Sequence, residues 1–425
     1  MSTLWRNSDF VRLWTSLTIT HFGGQITFLA LPLTAALLLD ASAFEMGVLT
    51  ALEALPFALF GLVAGVMVDR APKLPIIVWS DIARGVALLA VPLCAWLGWL
   101  SMGVLYAVGF LVGAAGVLGW PAYQVFMTER VGRDKLVEAN AKIGFSDSTA
   151  QLVGPGFAGA LIQWLTAPFA ILLDALSFFF SAWILRGIRS LPSDAPKMHA
   201  SSVREEIREG LATIWREPTL RALAWSVAVW QVFRHAFLAL VVLFAVRELG
   251  FSAGHMGALW MLAGLGSLIG AGAVERINRR FGLGPTLLAG LLGTGVAWLM
   301  ISAAPGGGLA ASVLFGLALL VLDFSGMVFF VNYLTLRQAL TPDPLLGRVT
   351  ATMICLTIAM APVGGLAGGW IGEHAGLRAA LAIAGIGVVL LVPLVMWVSP
   401  LRRLTSVPHP PEPRLTESVS EELAG

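Results

Sequence analysis

Long runs of apolar residues follow one another along the chain, separated by short polar stretches. Each run is long enough to cross the ~30 Å hydrocarbon core of a bilayer as a helix that rises ~1.5 Å per residue. In lipid only helices and closed barrels satisfy every backbone group, and the sequence lacks the alternating segments of roughly ten residues that barrel strands show. The pattern predicts an all-α polytopic membrane protein with twelve transmembrane helices, at residues 12–39, 45–68, 75–97, 101–127, 138–164, 167–187, 221–246, 253–274, 283–303, 307–338, 346–372 and 377–398.

A long polar connection, residues 187–220, divides these helices into two sets of six. Within it Ile207, Leu211 and Trp215 recur at four-residue spacing, which predicts an amphipathic helix. This helix either lies on the membrane surface or serves as a linker.

The chain end is rich in proline and glutamate, which predicts disorder. We expect four regions: a six-helix half at 1–187, a cytoplasmic central loop with the amphipathic helix at 188–220, a second six-helix half at 221–400 and a disordered cytoplasmic tail at 401–425.

The two sets of helices resemble each other in sequence. A shift of 210 residues relates these landmarks: Glu45-Met46-Gly47 to His255-Met256-Gly257, Tyr123 to Tyr333, Leu136 to Leu346, and Gly154 to Gly364. A six-helix unit repeated in the same orientation is typical of two packed halves related by an axis along the membrane normal.

Composition supports a membrane protein. The chain of 425 residues is 57% hydrophobic and only 12% charged, whereas soluble domains are about 25% charged. Its two cysteines, Cys94 and Cys355, lie in apolar runs and form neither a disulfide framework nor a metal cluster. The sequence contains no H-E-x-x-H, no nucleotide-binding glycine loop and no G-x-S-x-G. We therefore expect no enzyme activity, no metal and no cofactor.

The placement of lysine and arginine predicts the orientation. With the N-terminus inside, the outer loops hold only Arg247 and Arg378, and nearly all other basic residues lie in inner loops. This distribution is the one that the positive-inside rule describes. Both termini are therefore predicted to be cytoplasmic, in a bacterial-type inner membrane. Because orientation explains the basic residues, nucleic-acid binding has no support.

A small-residue motif joins the second and third predicted helices. It runs Gly61-Leu-Val-Ala-Gly65-Val-Met-Val-Asp69-Arg70, and Asp81 and Arg84 follow one turn apart on the third helix. The second half carries a degenerate counterpart that ends in Glu275-Arg276. Small residues at four-residue spacing let helices approach closely. The motif resembles the signature loop of the major facilitator superfamily.

Further stretches sharpen this resemblance. They include Gln151-Leu-Val-Gly154-Pro155-Gly156-Phe-Ala-Gly159, Asp174-Ala-Leu-Ser177-Phe178 and Leu346-Gly347-Arg348-Val349. Together they resemble the bacterial drug, macrolide and siderophore exporters of the superfamily, over residues 5–400. The segment with Gly154, Pro155 and Gly159 is similar to a motif associated with export by antiport.

The resemblance implies a twelve-helix monomer that works by alternating access. It also implies that Asp69 caps the eleventh helix near residues 346–348 and latches one conformation. The gating residues would be Gly65, Asp69, Arg70, Asp81, Arg84, Glu275, Arg276 and Arg348. A static salt bridge at this place is the alternative.

Ionisable residues inside membrane helices are costly and therefore point to function. They are His21, Glu53, Asp147, Asp174, Arg234, His235 and Asp323. Burial favours the protonated form of a carboxyl, so Glu53, then Asp323 and Asp147, are the candidates for proton coupling. Asp174 is expected to be structural, and His21 to make a hydrogen-bonded helix contact, with a role as proton carrier as the alternative. Arg234 and Asp323 have similar depths and are expected to form a pair.

The resemblance further implies a central cavity lined by the first, fourth, seventh and tenth helices. The cavity candidates are His21, Tyr123, Gln124, Trp230, Gln231, Arg234, Asn332 and Tyr333. The leading hypothesis is proton-coupled efflux of hydrophobic or amphipathic small molecules. One alternative is a dedicated exporter of a single metabolite such as a siderophore. An alternative of another class is a membrane receptor or assembly factor that does not transport.

Overall fold

The computed structural model of the chain describes residues 4–188, 203–342 and 345–406, without the side chains at 62, 65, 66, 69, 70, 133, 203, 204, 206 and 207. The described part is helical and contains no strand. Its helices are α1 (Ser8–Leu38), α2 (Ala43–Arg70), α3 (Lys73–Leu97), α4 (Met102–Val131), α5 (Leu136–Leu165), α6 (Ala167–Arg186), α7 (Val203–Arg216), α8 (Pro218–Arg247), α9 (Ala253–Phe281), α10 (Leu283–Ser302), α11 (Gly308–Leu340), α12 (Leu346–Ile358), α13 (Ala361–Ala375) and α14 (Leu377–Val398).

Eleven stretches of the described residues are long and apolar enough to cross a membrane, with α12 and α13 counted as one. The helix α5 has the length but is less apolar, because it carries polar residues such as Asp147 and Gln151. Trp96 and Trp397 are 74% and 84% exposed, which fits side chains that face lipid. With α5 as the twelfth span, the architecture confirms the predicted all-α membrane fold.

Local chemistry sets where the helices begin and break. Ser42 accepts a hydrogen bond from the amide of Glu45, whose carboxylate accepts one from the amide of Ser42, so α2 begins with a capping box. The predicted span at 346–372 is interrupted between α12 and α13. Pro362 lacks an N–H and so cannot donate to the carbonyl of Ile358, at which α12 ends.

Two predicted boundaries differ most from the structure. The helix α9 continues seven residues beyond the predicted end at 274, because its last turns are polar and lie past the apolar run. The predicted disordered tail begins at 401, yet Leu401 is fully buried and the carbonyl of Leu404 accepts a hydrogen bond from the amide of Gly284 at 2.8 Å. The remainder of the predicted tail, 407–425, lies outside the described residues.

The helix pairs that position the candidate site are α1 with α5 and α6, α2 with α13, α5 with α9, and α9 with α11. We call the end of the bundle at which α1 begins the basic end, because most of the described lysines and arginines lie there. The other end is called the opposite end. At the opposite end α2 meets α13 and α5 meets α9 through glycine contacts. At these two contacts the helix backbones meet with almost no side chain between them.

The helix α7 is the amphipathic helix that the four-residue spacing predicts. Its Ile214 is buried, while Trp215 is 72% exposed. Glu209 forms an ion pair with Arg348 of α12. The helix thus packs against α12 at the basic end.

Candidate functional site

A cavity of about 390 Å³ lies in the middle of the bundle, between α1, α2, α8 and α9. Most of its wall is apolar and includes Phe28, Leu49, Phe57, Leu238 and Trp260. Its polar lining consists of Thr27, Thr50, Glu53, Gln231, Arg234 and His235. This chamber, the Glu53 chamber, has the size and the mixture of lining groups of a small-molecule site.

Glu53 is the acidic group of this chamber. Its side chain is exposed, and the surface that it exposes faces the chamber. The carboxylate stem packs on Gly109 of α4, where an added Cβ would lie 3.0 Å from Cγ of Glu53. Among the described residues Glu53 has neither a hydrogen-bond nor an ion-pair partner. The chamber therefore offers a carboxylate that a ligand cation or a proton can occupy.

Arg234 brings the opposite charge to the same chamber. Its guanidinium lies 5.6 Å from the ring centre of Trp230. It interacts electrostatically with Asp323, but no direct ion pair joins the two side chains in the described part of the chain. The predicted pair is thus an interaction at longer range, because the two side chains open onto different cavities.

A second cavity of about 400 Å³ lies between α1, α5, α9 and α11. Its polar lining includes Gln25, Gln151, Ser267 and Asp323, and we call it the Asp323 chamber. Phe28 and Trp260 line both chambers and contact each other edge to face, with ring centres 6.4 Å apart. This aromatic pair lies at the border of the two chambers.

Asp147 is held by two hydrogen bonds. Nδ1 of His21 donates to one carboxylate oxygen at 2.6 Å, and Nε2 of Gln151 donates to the other at 2.8 Å. The His21 side chain is 20% exposed and that of Asp147 is 40% exposed. The structure thus places His21 in the helix contact that we expected and gives it an acidic partner.

Of the cavity candidates, Gln231 and Arg234 line a chamber, and His235 lines the same chamber. Tyr123, Asn332 and Tyr333 are buried in the cores of their own helix groups. Nε1 of Trp230 donates to Oγ1 of Thr294 at 3.3 Å, which holds the indole against α10. These buried candidates pack helices, and Gln124 is exposed without lining either chamber. These candidates were chosen because their side chains end in polar groups and lie on the helices expected to line the cavity. Neither property shows whether a side chain points into the cavity.

Asp81 and Arg84, which were grouped with the gating residues, lie inside the first group of helices. Oγ of Ser181 donates to Asp81 at 2.5 Å, and the guanidinium of Arg84 lies 5.4 Å from the ring centre of Phe178. Asp174 accepts hydrogen bonds from Thr27 and Ser177. These contacts tie α1 and α3 to α6 and agree with a structural role for Asp174.

The remaining gating residues are only partly described. The predicted contact of Gly65, Asp69 and Arg70 with the eleventh span lies outside the described side chains and stays a prediction. Arg348 forms its ion pair with Glu209 of α7. Glu275 pairs with Arg279 one turn further along α9 at 3.5 Å, and both are exposed, as is Arg276.

The segment from Gly154 to Gly159 lies in two helix interfaces, one between α5 and α1 and one between α5 and α9. A Cβ at Gly154 would lie 2.6 Å from Cγ of Gln25 on α1, so glycine allows α1 to approach α5. A Cβ at Gly159 would lie 2.9 Å from the Cα of Gly257 on α9. Pro155 lines the Asp323 chamber between these contacts. The motif therefore packs α5 on both sides.

The sequence-based search missed several lining residues: Gln25, Phe28, Thr50, Gln151, Trp260 and Ser267. A signal existed for two of them, because Gln25 follows His21 and Gln151 follows Asp147 by one helical turn. The described residues contain no group of three His, Cys, Asp or Glu side chains that could hold a metal ion.

A sequence profile of the Major Facilitator Superfamily matches residues 13–362. The chain is 30% identical to the MFS-type transporter y4rN of Sinorhizobium fredii, over 90% of this chain and 93% of the relative. It is 25% identical to the multidrug efflux pump Tap of Mycolicibacterium fortuitum, over 91% and 95%. It is 24% identical to the enterobactin exporter EntS of Citrobacter koseri, over 83% and 82%.

The fold is similar to that of solved transporters. A bacterial homologue of the iron transporter ferroportin, in an inward-facing state, superimposes with a TM-score of 0.73. The alignment covers 92% of this chain and 98% of that structure at 19% sequence identity. At this identity the likeness shows the fold alone.

Proposed function

Since the chain belongs to the Major Facilitator Superfamily and is a multi-pass membrane transporter, we propose that it exports hydrophobic or amphipathic small molecules in exchange for protons. Two six-helix halves, residues 1–187 and 221–400, would rock about the central chambers. In this proposal both termini are cytoplasmic, the protein is a monomer in a bacterial plasma membrane, and the basic end faces the cytoplasm.

The observation that carries this proposal is the Glu53 chamber. Aromatic and aliphatic walls suit a lipophilic ligand, and the faces of Phe28 and Trp260 attract a cationic group. The carboxylate of Glu53 has no protein partner in the described part of the chain. A ligand cation and a proton compete for such a group, and competition at one carboxylate couples their movements in opposite directions.

The relatives favour the same function. Tap is named a multidrug efflux pump, and it aligns with this chain over almost its whole length. An identity of 25% over the whole chain does not identify which cavity residues the two proteins share, so the substrate class rests on the chamber itself.

A dedicated exporter of one metabolite is the second candidate. The alignment with the enterobactin exporter EntS favours it. The presence of Arg234 in the chamber also suits a substrate that carries an anionic group. In this version the chamber recognises one molecule instead of many.

Uptake of ethidium, a lipophilic cation, into everted membrane vesicles under an imposed proton gradient tests the proposal. Wild type, Glu53→Gln and the control Glu129→Gln are compared, because Glu129 is exposed near the basic end of α4. We expect accumulation by wild type and control, and loss of accumulation in Glu53→Gln.

The other outcomes are equally informative. Accumulation by all three proteins would keep the exporter and transfer the coupling role from Glu53 to Asp323 or Asp147. If wild type accumulates neither ethidium nor other lipophilic cations, export of many compounds is excluded and the dedicated exporter becomes the better hypothesis.

A further inference from the structure

His21 and Asp147 form a hydrogen-bonded pair between α1 and α5, apart from the Glu53 chamber. Nδ1 of His21 donates to Asp147 at 2.6 Å, so Nε2 of the neutral imidazole is left as the acceptor. Histidine is the side chain whose charge changes in the physiological pH range. An imidazole oriented by a carboxylate is suited to binding and releasing a proton.

Both side chains of this pair are partly exposed. The side chains of His21 and Asp147 are 20% and 40% exposed. Asn140, Gly144, Asp147 and Gln151 follow one another at three- and four-residue spacing, so they share one face of α5. All four are exposed or partly exposed, and Gln151 lines the Asp323 chamber. The polar face of α5 therefore leads from the basic end past the pair to that chamber.

Gln151 connects the pair with the Asp323 chamber. It donates to Asp147 at 2.8 Å and also lines the chamber that contains Asp323. On α1, Gln25 lines the same chamber one turn beyond His21. Polar groups on both helices thus extend from the pair to the second buried carboxylate.

Gly154 sets the distance between the two helices that carry the pair. It lies two turns beyond Asp147, and its missing side chain makes room for the stem of Gln25. A Cβ there would lie 2.6 Å from Cγ of Gln25, a distance at which one of the two must shift. The close approach of α1 and α5 at this glycine supports the short bond between His21 and Asp147.

The other charges around α1 are arranged differently. α1 packs against α4, α5, α6 and α8. Asp174 of α6 lies beside Gly23, on the far face of α1. Arg130 of α4 pairs with Asp9 at the start of α1, and Arg234 of α8 faces the Glu53 chamber. Among the described side chains Asp147 is therefore the ionisable group that contacts His21.

We propose that His21 and Asp147 form a second proton-binding site of the transport cycle, at the approach from the basic end to the Asp323 chamber. A hydronium ion transfers its proton to Nε2 of His21 and leaves as water, while Nδ1–H stays bonded to Asp147. The net charge of the pair changes from −1 to zero, and release reverses the step. This inference rests on the proposed proton-coupled export.

The test uses purified protein in proteoliposomes with ethidium as the probe. His21→Asn places an amide nitrogen where Nδ1 lies, so the bond to Asp147 can persist while Nε2 is lost. Asp147→Asn removes the charge but keeps an acceptor. His374→Asn is the control, because Nδ1 of the exposed His374 donates to the carbonyl of Trp370 far from both chambers.

Two assays are compared for each protein: accumulation driven by a pH gradient, and exchange of ethidium without a gradient. We expect wild type and control to perform both. His21→Asn and Asp147→Asn should exchange ethidium at the wild-type rate and lose gradient-driven accumulation. Wild-type accumulation in both variants would overturn the proposal, as would loss of exchange together with accumulation. A wild type that exchanges without accumulating would instead contradict the proposed proton coupling.

A measurement without substrate keeps the two proposals separate. In protein labelled with ¹⁵N-histidine, the signal that is lost in His21→Asn belongs to His21. We expect acidification to convert this imidazole reversibly from the Nδ1–H tautomer to the imidazolium. A His21 that stays neutral on acidification would overturn the proton-binding site, whatever the transport assays show.

Discussion

Gly159 and Gly257 touch across the two helix groups of the protein: a Cβ on Gly159 would lie 2.9 Å from the Cα of Gly257. Gly47 and Gly369 form an equivalent contact, with 2.8 Å from a Cβ on Gly47 to the Cα of Gly369. The numbers 47 and 257 differ by 210, and so do 159 and 369. The internal similarity of the sequence thus coincides with two matching contacts that close the opposite end.

Replacement of Gly159 by alanine should open the opposite end. The new Cβ would lie 2.6 Å from the carbonyl oxygen of Ala253, which forces α5 and α9 apart. A cysteine reporter at Thr50, with Cys94 and Cys355 changed to serine, should then react several times faster with a membrane-impermeant maleimide. The reagent is added to intact cells, whose outside faces the opposite end in the proposed orientation.

The matched control for this change is Gly61→Ala, since a Cβ at Gly61 meets no atom within 4 Å. The added methyl group therefore forces no helices apart, and alanine is favoured over glycine in a helix by about 1 kcal/mol. We expect this control to keep the wild-type labelling rate. An unchanged rate in Gly159→Ala would show that this glycine contact does not control closure.

The contact between α7 and α12 should be captured by a disulfide. A Cβ at Gly210 would lie 3.2 Å from the Cβ of Thr352, slightly closer than the roughly 3.5–4.5 Å between the Cβ atoms of bonded cysteines. We expect Gly210→Cys with Thr352→Cys, in a chain without Cys94 and Cys355, to cross-link on mild oxidation. The reaction is followed by the mobility of the protein on a denaturing gel after cleavage at a protease site inserted between residues 216 and 218.

The control pair is Leu211→Cys with Thr352→Cys, because Leu211 is 41% exposed on the next position of α7. It should cross-link poorly. If oxidation of the first pair also stops ethidium transport and reduction restores it, α7 moves relative to α12 during the cycle. Equal cross-linking of the two pairs would argue against the observed packing of α7.

Thr294→Val should lower stability without changing transport. The substitution removes the acceptor of the Trp230 Nε1–H bond, and a lost hydrogen bond of this kind costs about 1 kcal/mol. Thermal unfolding of the detergent-solubilised protein measures the effect. Thr149→Val is the control, since its hydroxyl is bonded to a backbone carbonyl of its own helix in an exposed position. A transport defect in a Thr294→Val protein of wild-type stability would indicate that Trp230 contacts the substrate.

Arg234 and Asp323 should be coupled energetically although they do not form a direct ion pair. Arg234→Met leaves Asp323 without its nearby positive charge, which destabilises a partly buried carboxylate. We expect Arg234→Met with Asp323→Asn to be more stable than the sum of the single changes predicts, by about 1 kcal/mol. A double-mutant cycle on thermal unfolding measures this coupling, and additivity would show that the side chains act independently.

Sequence reasoning located the helices well because the requirement for a span is local. A continuous apolar run of sufficient length must form a helix in lipid, and this criterion placed the start of α9 at residue 253 and both ends of α14. The same criterion predicted the end of α9 too early, since a helix can continue into water beyond its apolar run. The disordered tail was predicted to begin at residue 401, whereas Leu401 is buried against the bundle.

The side chains that share a chamber were harder to predict. Tyr123 and Gln231 looked equally suitable, yet only Gln231 lines a chamber. Most spans are apolar all round, so their sequence does not mark which face points inward. The helix α5 is the exception, because its polar residues share one face and thereby indicate the side that meets the chamber.

The sequence by itself determined that this protein is a helical membrane protein with a repeated unit, because apolar length and small-residue spacing are properties of the chain alone, and its resemblance to the Major Facilitator Superfamily implied a transporter. Only the tertiary structure decided that Glu53 and Arg234 open onto one chamber, that Asp323 opens onto another, and that His21 bonds Asp147. These side-chain arrangements depend on how each helix is rotated about its axis and how closely its neighbours approach. Contacts such as the one between Gly154 and Gln25 set that approach, and they join residues far apart in the chain.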